Sequence, residues 1–279
     1  MKRFKPWLCF CVLAIILITS SFSYILKPQC KETGDSFPVL DSDKVEGLPD
    51  RFRNDSELNI SGSAQFTLPQ LTSIINEINQ KDIIIADLRQ ETHGFVNDYA
   101  LRLFSPTTII NKDCTSGQVL EAERRFFGAI QPGSKVNIYS RRKVLKETLT
   151  ATRALTEEEL VKEKGAGYIL FAVQDGSIPT PQVVDDFVCF VVSKPEGAHV
   201  HFHCRAGEGR TTTFMAMYQI MNNENNLSLE QIFQYQESIG GINLFLRPLR
   251  AEFLEEFYSY VKENQMGGYQ TKYSEWEKR

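Results

Sequence analysis

The nonapeptide His203-Cys204-Arg205-Ala206-Gly207-Glu208-Gly209-Arg210-Thr211 sets a thiol and a guanidinium at the two ends of a Cys-x5-Arg loop containing two glycines. Each residue type has a reason to be there if the chemistry is nucleophilic displacement at phosphorus. Gly207 and Gly209 allow successive backbone N–H groups to turn inward and form an anion-binding nest. A helix opening at Arg210 points its positive end at the same spot. In that field a thiol ionises below its free pKa of about 8.5. Arg210 can grip two phosphate oxygens with its planar fork. Thr211 can donate a hydroxyl to the thiolate and ease its departure in a second step. His203 is expected to order the loop through ring hydrogen bonds rather than to react. The loop residues Arg205, Ala206, Gly207, Glu208 and Gly209 are the expected phosphate cradle. A bare Cys-x5-Arg is common; the added His203, paired glycines and Thr211 make this one specific.

Such a nucleophile needs an acid to protonate the leaving oxygen. Asp175, in Val173-Gln174-Asp175-Gly176-Ser177-Ile178-Pro179, follows an apolar run and sits beside glycine on a loop. There it can donate a proton and then accept one from water. Asp185 and Asp186 compete for the role, but they fall inside the next helical pattern. A metal reading is also open. His199, His201 and His203 alternate, so a strand would put their rings on one side, next to Cys204. No second ligand pair such as Cys-x2-Cys accompanies them, and the reading without metal is preferred.

The elements that must position these groups follow from periodicity. Ile83-Ile84-Ile85-Ala86 is a short apolar run of the kind buried on both faces of a sheet. Further strands are expected at 135–139, 168–173 and 198–203. Helices are expected from Thr67 through Ile78, with Pro69 in the first turn, and over 116–130. The capping box Thr156-Glu157-Glu158-Glu159 opens another that ends near Gly165. Helical patterns also cover 181–192, 210–222, 228–238 and 249–263. Helices alternating with short apolar strands indicate an α/β layer around a mostly parallel sheet.

The 279 residues are 42% hydrophobic and 24% charged with a formal net charge of −4, an ordinary globular composition. Bulk positive charge for nucleic acid is absent, so no nucleic-acid partner is expected. Residues 1–26 differ from the rest: Lys2, Arg3 and Lys5 precede an apolar run from Trp7 to Thr19 and then Ser20, Ser21 and Ser23. This pattern reads as a cleaved export signal, with a retained anchor as the alternative. Either takes the body across a membrane, giving a periplasmic, secreted or membrane-anchored protein whose only membrane contact is that segment. Residues 27–47 read as a polar arm. Outside the leader stand Cys30, Cys114, Cys189 and Cys204. Some could pair in an oxidising compartment, Cys30 with Cys114 for instance. Cys189, in an apolar run, reads as a small buried hydrophobe.

Over most of residues 48–279 the chain resembles the protein-tyrosine-phosphatase-like inositol phosphatases, the bacterial cysteine phytases. Leu58 to Phe66 is similar to that family's early segment, Asp87-Leu88-Arg89-Gln90-Glu91-Thr92-His93-Gly94-Phe95 to its first-strand motif, and His201 through Thr213 to its loop. Gly240-Gly241 and Gly268-Tyr269-Gln270-Thr271 with Trp276 are similar too. The resemblance implies a tyrosine-phosphatase-like core, with helices flanking the sheet and a small β-barrel-like insertion within 90–165. It also implies stepwise removal of phosphates from myo-inositol hexakisphosphate, with phosphorylated small molecules as substrates and neither metal nor cofactor. Arg53 lies where the family has a substrate-binding arginine. Arg141, Arg142 and Lys143 lie where it has a His-Lys pair, so Arg142 and Lys143 are expected at the substrate.

The chain departs from that pattern at the rim. Gly176 follows the acid where the family has His, and Thr108-Ile109 replace an Asp-Trp pair. The segment after Gly241 is short, leaving Arg247 or Arg250 nearest the place of a substrate lysine. Glu208 brings a carboxylate into the loop, which would repel substrate unless it faces away. Two other functions are therefore weighed: a tyrosine or dual-specificity protein phosphatase, and a phosphoinositide- or phytate-binding protein without turnover.

Overall fold

The computed structural model describes residues 34–279; the leader expected at 1–26, the beginning of the expected arm, and Cys30 lie outside the described residues. In chain order the elements are β1 (Phe37–Ser42), β2 (Arg53–Asp55), β3 (Ile60–Ser63), α1 (Leu68–Ile78), β4 (Ile83–Arg89), β5 (His93–Val96), β6 (Tyr99–Phe104) and α2 (Ser116–Gly128). Then come β7 (Lys135–Tyr139), β8 (Leu145–Thr150), β9 (Ala154–Thr156), α3 (Glu157–Glu163), β10 (Gly167–Val173), α4 (Pro181–Ser193) and β11 (His199–His203). Last are α5 (Gly209–Met221), α6 (Leu229–Ser238), α7 (Pro248–Asn264) and α8 (Tyr273–Trp276).

The apolar runs at β4, β10 and β11 do form a buried sheet. Its order is β10-β4-β11-β3-β2, parallel throughout except for the edge strand β2. Strand alternation sorts its two faces. Ala86, Leu88, Val200 and Phe202 pack into one core with α4, α5 and α7, whereas Ile83 and Ile85 pack into a second with α1 and α3. The central helix α5 is buried from Arg210 to Met221, as expected of a helix enclosed on every side. That enclosure overrides the weak helix propensity of Thr211, Thr212 and Thr213. The capping boxes at Thr67 and Thr156 both form and fix the starts of α1 and α3.

A second sheet has the order β8-β7-β1-β6-β5-β9 and covers its own core with Phe127 of α2. It stands where a barrel-like insertion was expected, but its strand order runs from one edge, β8, to another, β9, so it is an open sheet rather than a closed barrel. It also reaches outside 90–165. β1, drawn from the stretch read as an arm, pairs antiparallel with β6 and parallel with β7.

Cys189 is corrected by the fold: it is exposed on α4, because the helix turns Val184, Phe187 and Val188 inward instead. Cys189 and Cys204 are free thiols, whereas Cys114 is disulfide-bonded.

Candidate active site

Strand β11 stops at His203 and α5 starts at Gly209, so the intervening loop sits where a strand C-terminus meets a helix N-terminus. Its shape depends on both glycines. Gly207 has φ +68°, and a Cβ there would come within 2.5 Å of the Ala64 backbone nitrogen. A Cβ on Gly209 would meet the Arg250 guanidinium at 2.7 Å. Arg53 braces the loop from below, donating to the Gly207 carbonyl at 2.9 Å and the Thr212 hydroxyl at 3.2 Å.

Cys204 lies inside this cradle, 3% exposed. Burial alone would raise its pKa. The Arg210 charge, the Thr211 hydroxyl and the backbone amides of Thr211 and Ala206 outweigh that effect and hold it below the ordinary thiol value. The Thr211 hydroxyl donates to the sulfur at 3.2 Å. Arg210 is fixed from three sides. It makes a two-pronged pair with Glu91 at 2.8 and 3.1 Å, donates to the Val173 carbonyl at 3.0 Å, and meets Asp175 Oδ1 at 3.1 Å. Burial disfavours the Glu91 anion, yet Arg210 and Arg89 pull its pKa well below the usual carboxylate range. Asp175 leaves its side chain 72% exposed at the lip, on the turn where Gly176 takes φ +78°.

Beneath the loop runs a buried polar layer that no motif announced. The register of β11 with β4 sets His203 beside Asp87. His203 Nε2 lies 2.6 Å from Glu157 Oε1, while His93 bridges Asp87 at 3.1 Å and Glu123 at 2.9 Å. Burial and Arg89 oppose a charge on His93, but Asp87 and Glu123 raise its pKa well above the free value. Ligand-type atoms of Asp87, Glu157 and His203 lie within 4.8 Å of one another. His203 Nε2 and Glu157 Oε1, however, stand only 2.6 Å apart, closer than two tetrahedral zinc ligands would. His199 bonds the Ser61 hydroxyl, and His201 bonds those of Ser61 and Ser63. Burial lowers the pKa of both, that of His199 to about 4. The alternating histidines thus serve the sheet's polar face.

A second brace comes from β1. Asp41 accepts from Arg89 at 2.7 Å and Arg102 at 2.8 Å and lies 3.4 Å from Arg205 of the loop. Arg89 in turn donates to Glu91 at 2.9 Å. The second sheet is thereby keyed to the loop. Sequence reasoning missed Glu91, Glu157 and Asp41. The first two stood in quoted motifs, and Glu91 lies two residues from Arg89 on a strand end, a placement that invites pairing.

Two adjoining clefts share Asp175 and Arg205. One, over Cys204, is lined by the loop with Ile242, Arg247 and Arg250; the other by Arg102, Phe104, Ile109, Ile110 and Arg141. Three expectations for the rim change. Arg53 lies under the loop, buried, its pKa brought down to about 10 chiefly by that burial. Of the 141–143 stretch, Arg141 lines the second cleft; Arg142 lines neither of these two, and Lys143 stacks its ammonium 5.6 Å from the Phe37 ring. Both Arg247 and Arg250 line the cleft over Cys204, and Arg250 is fixed by Thr213 at 3.1 Å. Glu208 is met by Arg51 at 2.8 Å, which offsets its charge. Asp186 stays exposed on α4, whereas Asp185 accepts from the Ser274 backbone and anchors α8.

Fold and loop together are of the tyrosine-phosphatase-like class. A family model described as inositol hexakisphosphate, PTP-like phytase, matches residues 118–222. A PTP-like phytase from Bdellovibrio bacteriovorus is 29% identical with a TM-score of 0.75, over 92% of this chain and 99% of that one. The PTP-like myo-inositol phosphatase from Mitsuokella multacida, in complex with myo-inositol-(1,3,4,5)-tetrakisphosphate, is 27% identical with a TM-score of 0.77, over 91% of this chain and 50% of that one. Effector protein hopD2 of Pseudomonas syringae pv. tomato is 26% identical over 235 residues, 76% of this chain and 50% of that protein. The chain thus spans about half the length of the latter two. Over these spans the chain is similar to the PTP-like phytases.

Proposed function

We propose that this chain hydrolyses phosphomonoesters of myo-inositol polyphosphates through a phosphocysteine on Cys204. The observation that carries the reading is a buried thiol with a lowered pKa, facing a guanidinium at the mouth of a helix, under a cleft edged by arginines. Cys204 Sγ attacks phosphorus as the bond to the leaving oxygen breaks. Arg210 and the loop amides hold the non-bridging oxygens where charge develops. Asp175, beside Arg210, gives its proton to the leaving oxygen, then takes one from the water that cleaves the P–S bond. Thr211 steadies the departing thiolate.

Arg205, Arg247, Arg250 and Arg141 offer charge to phosphates that are not being cleaved. The tetrakisphosphate bound by the Mitsuokella protein supports a substrate of this kind. The test is phosphate release from a panel of inositol phosphates and phosphotyrosine peptides, with Cys204→Ser as control. Release from the inositol phosphates that vanishes in Cys204→Ser is the expected result. Release confined to the peptides would move the function to protein dephosphorylation, and release by the variant would reject the mechanism.

A further inference from the structure

Two exposed segments flank the opening of the site, and both join basic to large apolar side chains. One is residues 245–249, where Phe245, Leu246 and Leu249 are 46%, 73% and 52% exposed around Arg247. Its ends are anchored, by Leu244 in the core and by Arg250 against Thr213. The other is the β7–β8 turn, Arg141-Arg142-Lys143-Val144-Leu145, exposed throughout. The two are held to one mouth: Arg247 lines the cleft over Cys204, Arg141 lines the adjoining cleft, and both clefts contain Asp175 and Arg205.

These segments hold five of the ten large apolar side chains exposed among the described residues. They do so in a chain whose net charge is −4, so the positive charge is local. Leucine and phenylalanine beside arginine and lysine is the composition that suits a bilayer interface. Apolar groups enter the acyl boundary while cations meet lipid phosphates. A polyanionic headgroup standing in the same plane would face the cleft that holds the nucleophile.

We propose that the mouth docks on an anionic bilayer through residues 141–145 and 245–249, and that the site removes phosphates from the headgroups of membrane-borne inositol lipids. The substrate half of this rests on Cys204 being a phosphomonoesterase nucleophile; the docking half does not.

The full chain should be tested on phosphatidylcholine vesicles carrying phosphatidylserine and phosphatidylinositol 4,5-bisphosphate, and in parallel on the deacylated headgroup in solution. Wild type should sediment with the vesicles and release phosphate from both substrates. Leu246→Ser with Leu249→Ser should weaken sedimentation and vesicle-borne turnover about tenfold while leaving turnover of the free headgroup unchanged, which also shows that the variant is folded. Failure of wild type to sediment overturns the docking and is the result expected if this face serves a protein partner; an equal loss on both substrates also overturns it, because the two leucines would then support the site itself. Sedimentation without phosphate release from either substrate overturns the substrate half and supports the docking half.

Discussion

The floor of the site and its rim are built differently. Under the loop, Arg210 pairs with Glu91 at 2.8 Å and His203 lies 2.6 Å from Glu157, both contacts largely out of solvent. Around the opening, Arg141 and Arg247 are exposed, Arg205 is partly so, and the acid Asp175 reaches into solvent. A buried pair has no water to replace a lost partner, so its members fix geometry. An exposed charge is screened and contributes little alone. The comparison teaches that the chemistry is preset by the floor, whereas substrate choice is left to groups that can change without disturbing it. The departures from the family pattern at Gly176, Thr108 and Ile109 all lie on the rim.

That division can be broken experimentally. Asp175→Asn has the largest expected effect, a fall of about 10²–10⁴ in kcat; although exposed, Asp175 belongs with the floor in function, and an unchanged rate would move the acid elsewhere. Glu91→Gln should lower kcat roughly a hundredfold by freeing Arg210. Steady-state kinetics showing only a KM change would instead put Glu91 with the rim. Arg141→Ala and Arg247→Ala should each raise KM for inositol polyphosphates about three- to tenfold with kcat nearly constant. A large kcat loss in either would erase the distinction. The smallest effect concerns pH. Because the Cys204 pKa is lowered, the thiolate forms at lower pH than in free cysteine, and alkylation by iodoacetamide should reach its plateau earlier. Thr211→Val removes one stabilising donor, so the midpoint should move up, by less than about one pH unit.

Legibility in the sequence follows the same line. The loop, the place of Asp175 at its lip and the parallel sheet were readable because Cys204, Arg210, Gly207 and the apolar runs at β4, β10 and β11 are local signals. The second sheet was not, apart from β7. β8 has one buried residue in six and β1 mixes Pro38 and Asp41 with apolar neighbours, so neither shows clean alternation. Glu157 looked like a helix-capping acid; that it also meets His203 depends on α3 packing against the sheet, a long-range fact. Arg53 was expected at the substrate, and only the fold shows that it is buried and braces the loop's underside.

The Asp41 carboxylate carries a practical consequence. Protein made from residue 48 onward, where the sequence resemblance begins, would lack the strand that fills the gap between β6 and β7. It would also leave Arg89 and Arg102 without the anion they share. A truncation drawn at that point would yield inactive material whose failure says nothing about Cys204; the cut belongs ahead of Phe37.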